Sequence, residues 1–219
     1  MCSKNITQPF KFFCYTEDCS GIDDGVSIIP FVDHGLEITV HNKLFLFSEY
    51  VDSYLTGGDR LYLDLDMVIK SNIDDIVENN KGELTLIRAA WRKEHRRGFP
   101  LWHHMFNSSC MTWRSPYPRP LWEHFIKDVE LYTMKYHWGM DSFMSYEKEN
   151  AGVNIHFFPE RKFYSYLYGI DWEEEDWSHE TFGTSFILKF PSSIQSIPVI
   201  LLNGNTTEKD YNRFKQYYD

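Results

Sequence analysis

Two aspartates, Asp64 and Asp66, interrupt an otherwise apolar run in the first half of the chain. The other seven residues of segment 61–69 are apolar or aromatic. This composition is typical of a buried strand, in which an unneutralised carboxylate is costly to desolvate. Because residues two apart share one face of a strand, both carboxylates are predicted to point the same way. Two hard oxygen donors on one face suit Mg²⁺ or Mn²⁺ that also holds a phosphate group.

A simpler interpretation of these two aspartates stays open, because Asp-x-Asp is a common tripeptide. Both side chains would then lie at a strand end, where they meet water or cap a helix. The elements around the motif therefore matter for the choice between the two interpretations.

The pattern of apolar residues predicts strands that alternate with helices along the chain. Helices are predicted at 42–55 and about 121–136, with a short helix entry at 71–76. Besides the aspartate segment, strands are predicted at 10–15, 26–30, 84–90, 106–113, 151–158, 163–168 and 198–202. This order favours a single α/β domain over residues 1–219 with a mostly parallel sheet. Ligands of such sheets bind beyond the carboxyl ends of the strands, and the aspartates are expected near such an end.

The amino-acid composition limits the kinds of partner that the protein is expected to bind. The chain has 22 Lys and Arg against 32 Asp and Glu, so its net charge of −10 argues against general nucleic-acid binding. Its four cysteines form no Cys-x-x-Cys pair and no zinc spacing, which favours reduced thiols and a cytoplasmic location. No apolar stretch reaches the length of a membrane span. The aromatic content of 17% fits either a packed core or a surface that stacks sugars or bases.

Several short motifs, taken in order, resemble the nucleotide-sugar glycosyltransferases of the GT-A fold, especially the glycogenin-like and galactosyltransferase-like enzymes. Each motif is weak alone, but their order and spacing cover most of the chain. The matching segments are 9–18, Lys43-Leu44, Asp64-Leu65-Asp66, 72–76, Asn107-Ser108-Ser109, Gly139-Met140-Asp141-Ser142 and Ser165-Tyr166.

This resemblance implies a three-layer α/β/α domain that transfers a sugar from a nucleoside-diphosphate sugar to a glycan, lipid or protein acceptor. A UDP-sugar is the favoured donor. Asp64 and Asp66 would hold Mn²⁺ or Mg²⁺, which stabilises the leaving nucleoside diphosphate as a Lewis acid.

The resemblance also assigns roles to individual residues of this chain. Asp141 is the candidate catalytic residue and the first candidate for a general base. Asn203 would be a third metal ligand through its amide oxygen, and Trp102 and His104 would line the acceptor side. The donor-binding residues implied by the resemblance are Thr16, Asp18, Lys43, Leu65, Asn107 and Ser108.

Three features depart from the family pattern. Asn203-Gly204 stands where many relatives have His-Gly, and Ser142 follows Asp141 where they have Gln. The family's first strand and helix usually precede the segment that corresponds to residues 10–15. The resemblance therefore predicts a version of the fold shortened at its N-terminus.

Two alternative functions remain beside the glycosyltransferase. One is a degenerate, non-catalytic domain of the same fold that binds a sugar or a partner. The other is a haloacid-dehalogenase-type phosphatase, with Asp64 as nucleophile, Asp66 as general acid and Val68 in a matching position. The two strands and the helix predicted before residue 64 disfavour the phosphatase, whose motif normally follows the first strand.

Overall fold

The computed structural model describes residues 1–34, 39–55, 57–78, 82–89, 106–137, 139–159, 162–165 and 197–202, together with residues 212 and 215. Four residues with predicted roles or motif matches lie outside these ranges: Trp102, His104, Tyr166 and Asn203.

Short strands alternate with short helices along the described chain. A 3₁₀ helix, Thr39–Phe47, precedes α2. None of the described helices is long and apolar enough to cross a membrane. The helices are α1 (Cys2–Asn5), α2 (Glu49–Tyr54), α3 (Asp74–Glu78), α4 (Arg119–Phe125), α5 (Val129–Lys135) and α6 (Met140–Glu147). The strands are β1 (Phe12–Thr16), β2 (Val26–Pro30), β3 (Asp59–Leu63), β4 (Met67–Ile69), β5 (Leu84–Arg88), β6 (Phe106–Arg114), β7 (Ile155–Phe157), β8 (Phe163–Ser165) and β9 (Val199–Leu201).

The strands form three hydrogen-bonded groups, and the predicted α/β class is confirmed. The groups are β1-β2, β3-β6-β5-β7 and β4-β9-β8. The prediction of a mostly parallel sheet is wrong for the described residues, because β6 pairs antiparallel with both β3 and β5, and β4 pairs antiparallel with β9. The parallel pairs are β1 with β2, β5 with β7 and β8 with β9. Periodicity identifies strands but carries no information about the direction of their partners.

The predicted continuous strand over residues 61–69 is broken at the aspartates. β3 ends at Leu63 in the four-stranded sheet, and β4 begins at Met67 in the three-stranded sheet. Asp64, Leu65 and Asp66 make the turn between them. A turn lets two carboxylates reach water and polar partners, so the cost of burying them inside a sheet is avoided. The aspartates therefore lie at a strand end.

Both long predicted helices are interrupted by a capping residue. The helix predicted at 42–55 is the 3₁₀ helix followed by α2, and the Ser48 hydroxyl accepts the amide of Val51 to start α2. The helix predicted at 121–136 is α4 and α5, and Asp128 caps the start of α5. The apolar residues Leu44, Phe47 and Val51 of this segment are buried, and Leu55 is half-buried.

Strand β6 is buried on both faces and anchors the two main cores. Met111 packs in a core with the 3₁₀ helix, α4 and α6, whose members include Leu44, Phe125 and Phe143. The next residue toward the N-terminus, Cys110, points into a second core with β4, α3 and β9. Alternate residues of a strand face opposite sides, so one strand holds both cores in register.

The N-terminal segment covers β4, a contact that no pattern of residues predicts. The Asn5 side chain donates to the carbonyl of Ile69 at 3.3 Å, and the carbonyl of Asn5 accepts the amide of Ile73 at 2.9 Å. Met1, Cys2 and Ile6 pack against the second core. The strand that follows Asp66 is thus fixed by the first residues of the chain.

Candidate active site

Asp64 is held by three segments at the carboxyl end of β3. The Lys43 ammonium lies 2.7 Å from its carboxylate, and the Tyr62 hydroxyl donates to the carboxylate at 2.6 Å. The backbone amide of Asp64 donates to the carbonyl of Ser109 at 2.8 Å. The Asp64 side chain is only 18% exposed, so the ion pair and the hydrogen bond offset the cost of its partial burial.

Tyr62 belongs to this site although no sequence motif singled it out. Burial raises the pKa of the Tyr62 hydroxyl well above its usual range, and the neighbouring charge of Asp64 raises it further. The hydroxyl therefore stays protonated and donates to the carboxylate. Lys43 also lies 5.4 Å from the centre of the Tyr62 ring. The period-two argument that paired Asp64 with Asp66 could have found Tyr62, which precedes Asp64 by two residues.

Leu65 and Asp66 complete the turn between β3 and β4. The Leu65 side chain is 98% exposed, whereas Asp66 is half-buried. The carbonyl of Asp66 accepts the amide of Leu202 at 2.8 Å, which ties the turn to the end of β9. Leu65 is thus exposed to solvent, whereas its two neighbours Asp64 and Asp66 are half-buried.

Asp141 is fixed to β6 beside the residue that anchors Asp64. Its carboxylate accepts the backbone amide of Ser108 at 3.0 Å. The Asn107 side chain accepts the amide of Ser109 at 3.1 Å, and both Asn107 and Ser108 are buried. Asp141 and Asp64 are therefore attached to consecutive residues of one strand, Ser108 and Ser109.

Thr16 and Asp18 form a compact turn of their own after β1. The Thr16 hydroxyl donates to the carbonyl of Asp18 at 3.0 Å, and the Asp18 carboxylate accepts the amide of Ser20 at 2.8 Å. Hydrogen bonds from Ser20 lower the pKa of Asp18 below its ordinary value. The contact of Thr16 and Asp18 with a sugar donor stays a prediction.

The structure brings only some of the predicted site residues together. The contacts above join Lys43, Asp64, Ser108 and Asp141, while Asn203, Trp102 and His104 are outside the described residues. Within the described ranges no three His, Cys, Asp or Glu side chains cluster to hold a metal ion. Mg²⁺-type sites usually combine one or two carboxylates with substrate phosphates, so the donor set of Asp64 and Asp66 fits such a cation.

Comparison of the backbone with solved structures shows that the chain has the fold of GT-A glycosyltransferases, as the sequence motifs predicted. No protein-family model and no curated protein matches the sequence.

Three solved structures illustrate this likeness. The glycosyltransferase GlyE of Streptococcus pneumoniae TIGR4 aligns with a TM-score of 0.51 and 14% identity over 88% of this chain, which spans 46% of GlyE. An active-site mutant of LgtC aligns with a TM-score of 0.53 and 12% identity over 92% of this chain and 78% of LgtC. The galactosyltransferase LgtC in complex with donor and acceptor sugar analogues gives a TM-score of 0.52 and 13% identity, with coverage of 92% and 77%. At these identities the likeness concerns the fold alone.

Proposed function

We propose that the protein is a metal-dependent glycosyltransferase that moves a sugar from a nucleoside-diphosphate sugar to an acceptor. The observation that carries this proposal is the Lys43–Asp64 ion pair, 2.7 Å long, at the carboxyl end of β3 in a GT-A fold. An ammonium group at a strand end can bind a diphosphate, and two neighbouring carboxylates can bind the metal ion that accompanies it. We propose that residues 1–219 form one such domain.

In this proposal Asp64 and Asp66 hold Mn²⁺ or Mg²⁺, and Asn203 supplies a third oxygen ligand. The bound cation would act as a Lewis acid toward the departing diphosphate. The Lys43 ammonium adds positive charge beside the same diphosphate, which strengthens the stabilisation of the leaving group. Tyr62 keeps the Asp64 carboxylate in place for this task, since it donates to it at 2.6 Å.

The remaining roles concern the two sugars. Asn107, Ser108, Leu65, Thr16 and Asp18 would contact the donor, for which a UDP-sugar is favoured. Asp141 would act as the general base or orient the reacting sugar, held by its bond to the Ser108 amide. Trp102 and His104 would line the site of a glycan, lipid or protein acceptor. The four free cysteines favour a reducing compartment, so we place the reaction in the cytoplasm.

Calorimetric titration with Mn²⁺ and UDP, followed by an assay for hydrolysis of UDP-sugars, tests this function. We expect UDP to bind only with Mn²⁺, and Asp66→Ala to abolish both binding and hydrolysis. Asp59→Ala is the matched control, because Asp59 begins β3 and pairs there with Arg114. This control should behave as the wild type does.

Other outcomes of the same experiment distinguish the alternatives. Binding of UDP and Mn²⁺ without turnover of any donor would favour the non-catalytic domain. Trapping of an aspartyl-phosphate on Asp64 would favour the phosphatase, to which the fold likeness lends no support. If neither Mn²⁺ nor UDP binds at saturating concentration, the proposal is wrong.

A further inference from the structure

Lys43 carries a long, partly exposed side chain on a backbone segment that is packed in the core. Its neighbours in the 3₁₀ helix, Leu44 and Phe45, are 0% and 4% exposed and hold that helix in the core. The Lys43 side chain is 29% exposed, and its ammonium lies at the end of a flexible four-carbon stem. The ammonium can therefore leave Asp64 for a nearby anion without a change in the fold.

A divalent cation that binds Asp64 would lie next to the Lys43 ammonium. The carboxylate already accepts the Tyr62 hydroxyl at 2.6 Å and has Lys43 at 2.7 Å. A second cation on the same carboxylate must share its charge and is repelled by the ammonium at close range. Lys43 thus weakens the attraction of Asp64 for metal as long as it stays paired with this carboxylate.

A diphosphate changes that balance, because it offers Lys43 an alternative and more highly charged partner. Phosphate oxygens are strong acceptors for an ammonium group. When Lys43 moves to the diphosphate, Asp64 is released for the metal, and the metal in turn binds the diphosphate. Binding of either ligand, the metal ion or the diphosphate, therefore favours binding of the other.

We propose that Lys43 competes with the divalent cation for Asp64, so that metal and nucleoside diphosphate bind cooperatively. This inference rests on the proposed function and assigns Lys43 a second role, as a gate on metal binding. By reciprocity, the factor by which UDP raises the affinity for Mn²⁺ equals the factor by which Mn²⁺ raises the affinity for UDP.

The test measures Mn²⁺ binding by electron paramagnetic resonance, with and without UDP, in the wild type and in Lys43→Met. Without UDP, the variant should bind Mn²⁺ about twofold to fivefold more tightly, the range expected when an ion pair near the surface is removed. With saturating Mn²⁺, it should bind UDP roughly tenfold more weakly, because one charge-assisted contact is lost. Competition predicts that the affinity for Mn²⁺ alone rises in the variant while the affinity for UDP falls.

Lys148→Met is the matched control for the loss of one positive charge. The Lys148 side chain is 27% exposed and pairs with Glu149 at 3.1 Å, so its exposure is close to that of the Lys43 side chain. It should leave both affinities unchanged. Lys43→Gln gives a second, polar replacement, and thermal unfolding of each variant confirms that it is folded.

The outcomes separate this inference from the function on which it rests. If the wild type binds Mn²⁺ and UDP but Lys43→Met and Lys43→Gln bind Mn²⁺ alone no more tightly, competition is refuted and the glycosyltransferase proposal stands. If the wild type binds neither ligand, both proposals fail together.

Discussion

Gly139 and Val40 approach so closely that a Cβ atom on Gly139 would lie 2.9 Å from the Cβ of Val40 and 3.3 Å from its carbonyl oxygen. Gly139 directly precedes α6, which carries Asp141, and Val40 lies in the 3₁₀ helix that carries Lys43. Glycine at this position has a φ of +102°, a conformation that residues with a side chain rarely adopt. The contact sets the distance between the two helices that carry Asp141 and Lys43.

Replacement of Gly139 by alanine should therefore force α6 away from the 3₁₀ helix. The backbone strain and the clash together should lower the free energy of unfolding by roughly 2–4 kcal/mol, measured by urea denaturation. Gly152→Ala is the control, since Gly152 also has a positive φ of +69° but nothing lies within 4 Å of the added methyl group. It should lose only about 1 kcal/mol. Equal losses in the two variants would show that the close approach to Val40 is unimportant.

Loss of the Tyr62 hydroxyl should weaken metal binding without unfolding the protein. Tyr62→Phe removes the 2.6 Å hydrogen bond that orients the Asp64 carboxylate. Loss of such a partner of a metal ligand typically costs at least about tenfold in metal affinity, so we expect a Kd for Mn²⁺ about tenfold higher. Tyr117→Phe is the control, because the Tyr117 hydroxyl bonds only to the backbone of Asn154 among the contacts described here. An unchanged Kd in Tyr62→Phe would contradict the orienting role.

Part of the candidate site could be predicted because local sequence patterns identify some of its residues. Asp64 and Asp66 stand out as charges in an apolar segment, and Lys43 precedes them in a predicted helix. The spatial link between Ser108 and Asp141 was not predictable, since 33 residues separate them and no local pattern reports the hydrogen bond. This hydrogen bond depends on α6, a helix that apolar periodicity does not predict.

The fold was predictable in class but not in pairing. Apolar periodicity located strands such as β2, whose predicted and observed bounds coincide at Val26–Pro30. The break between β3 and β4 at the aspartates was not predicted. The apolar pattern is the same for one continuous strand as for two strands that belong to different sheets. Likewise, Ser48 caps α2 through a single hydrogen bond that apolar spacing does not register.

Glu147 should make the protein more stable at neutral pH than in acid. Burial alone would raise the pKa of Glu147, but hydrogen bonds from Tyr136, Asn150, Lys135 and His124 outweigh it and lower the pKa from 4.5 to about 2. Because the folded state then binds the proton less tightly than the unfolded state does, this stabilisation is complete above pH 4.5 and is lost as the pH falls toward 2. This contribution to the free energy of unfolding is on the order of 3 kcal/mol.

Urea denaturation of the wild type and Glu147→Gln between pH 6 and pH 2.5 measures this contribution. The difference between the two free energies of unfolding should be largest at pH 6 and should shrink as the solution is acidified. Glu149→Gln serves as the control, because the Glu149 side chain is 86% exposed and pairs only with Lys148 among the described contacts. A difference that stays constant with pH would rule out the ionised Glu147 as its source.

Neutralisation of the Asp52 carboxylate should destabilise the protein strongly. It pairs with Arg60, whose side chain is 7% exposed, and with Arg119 at 2.8 Å. Asp52→Asn would leave the Arg60 guanidinium buried without its counter-charge, which typically costs 3–5 kcal/mol, so we expect a loss of about 3 kcal/mol in urea denaturation. In Asp59→Asn the partner Arg114 is 58% exposed, and such an exposed pair contributes less than about 1 kcal/mol. If both variants lose the same small amount, the Asp52 network is no stronger than a solvated ion pair.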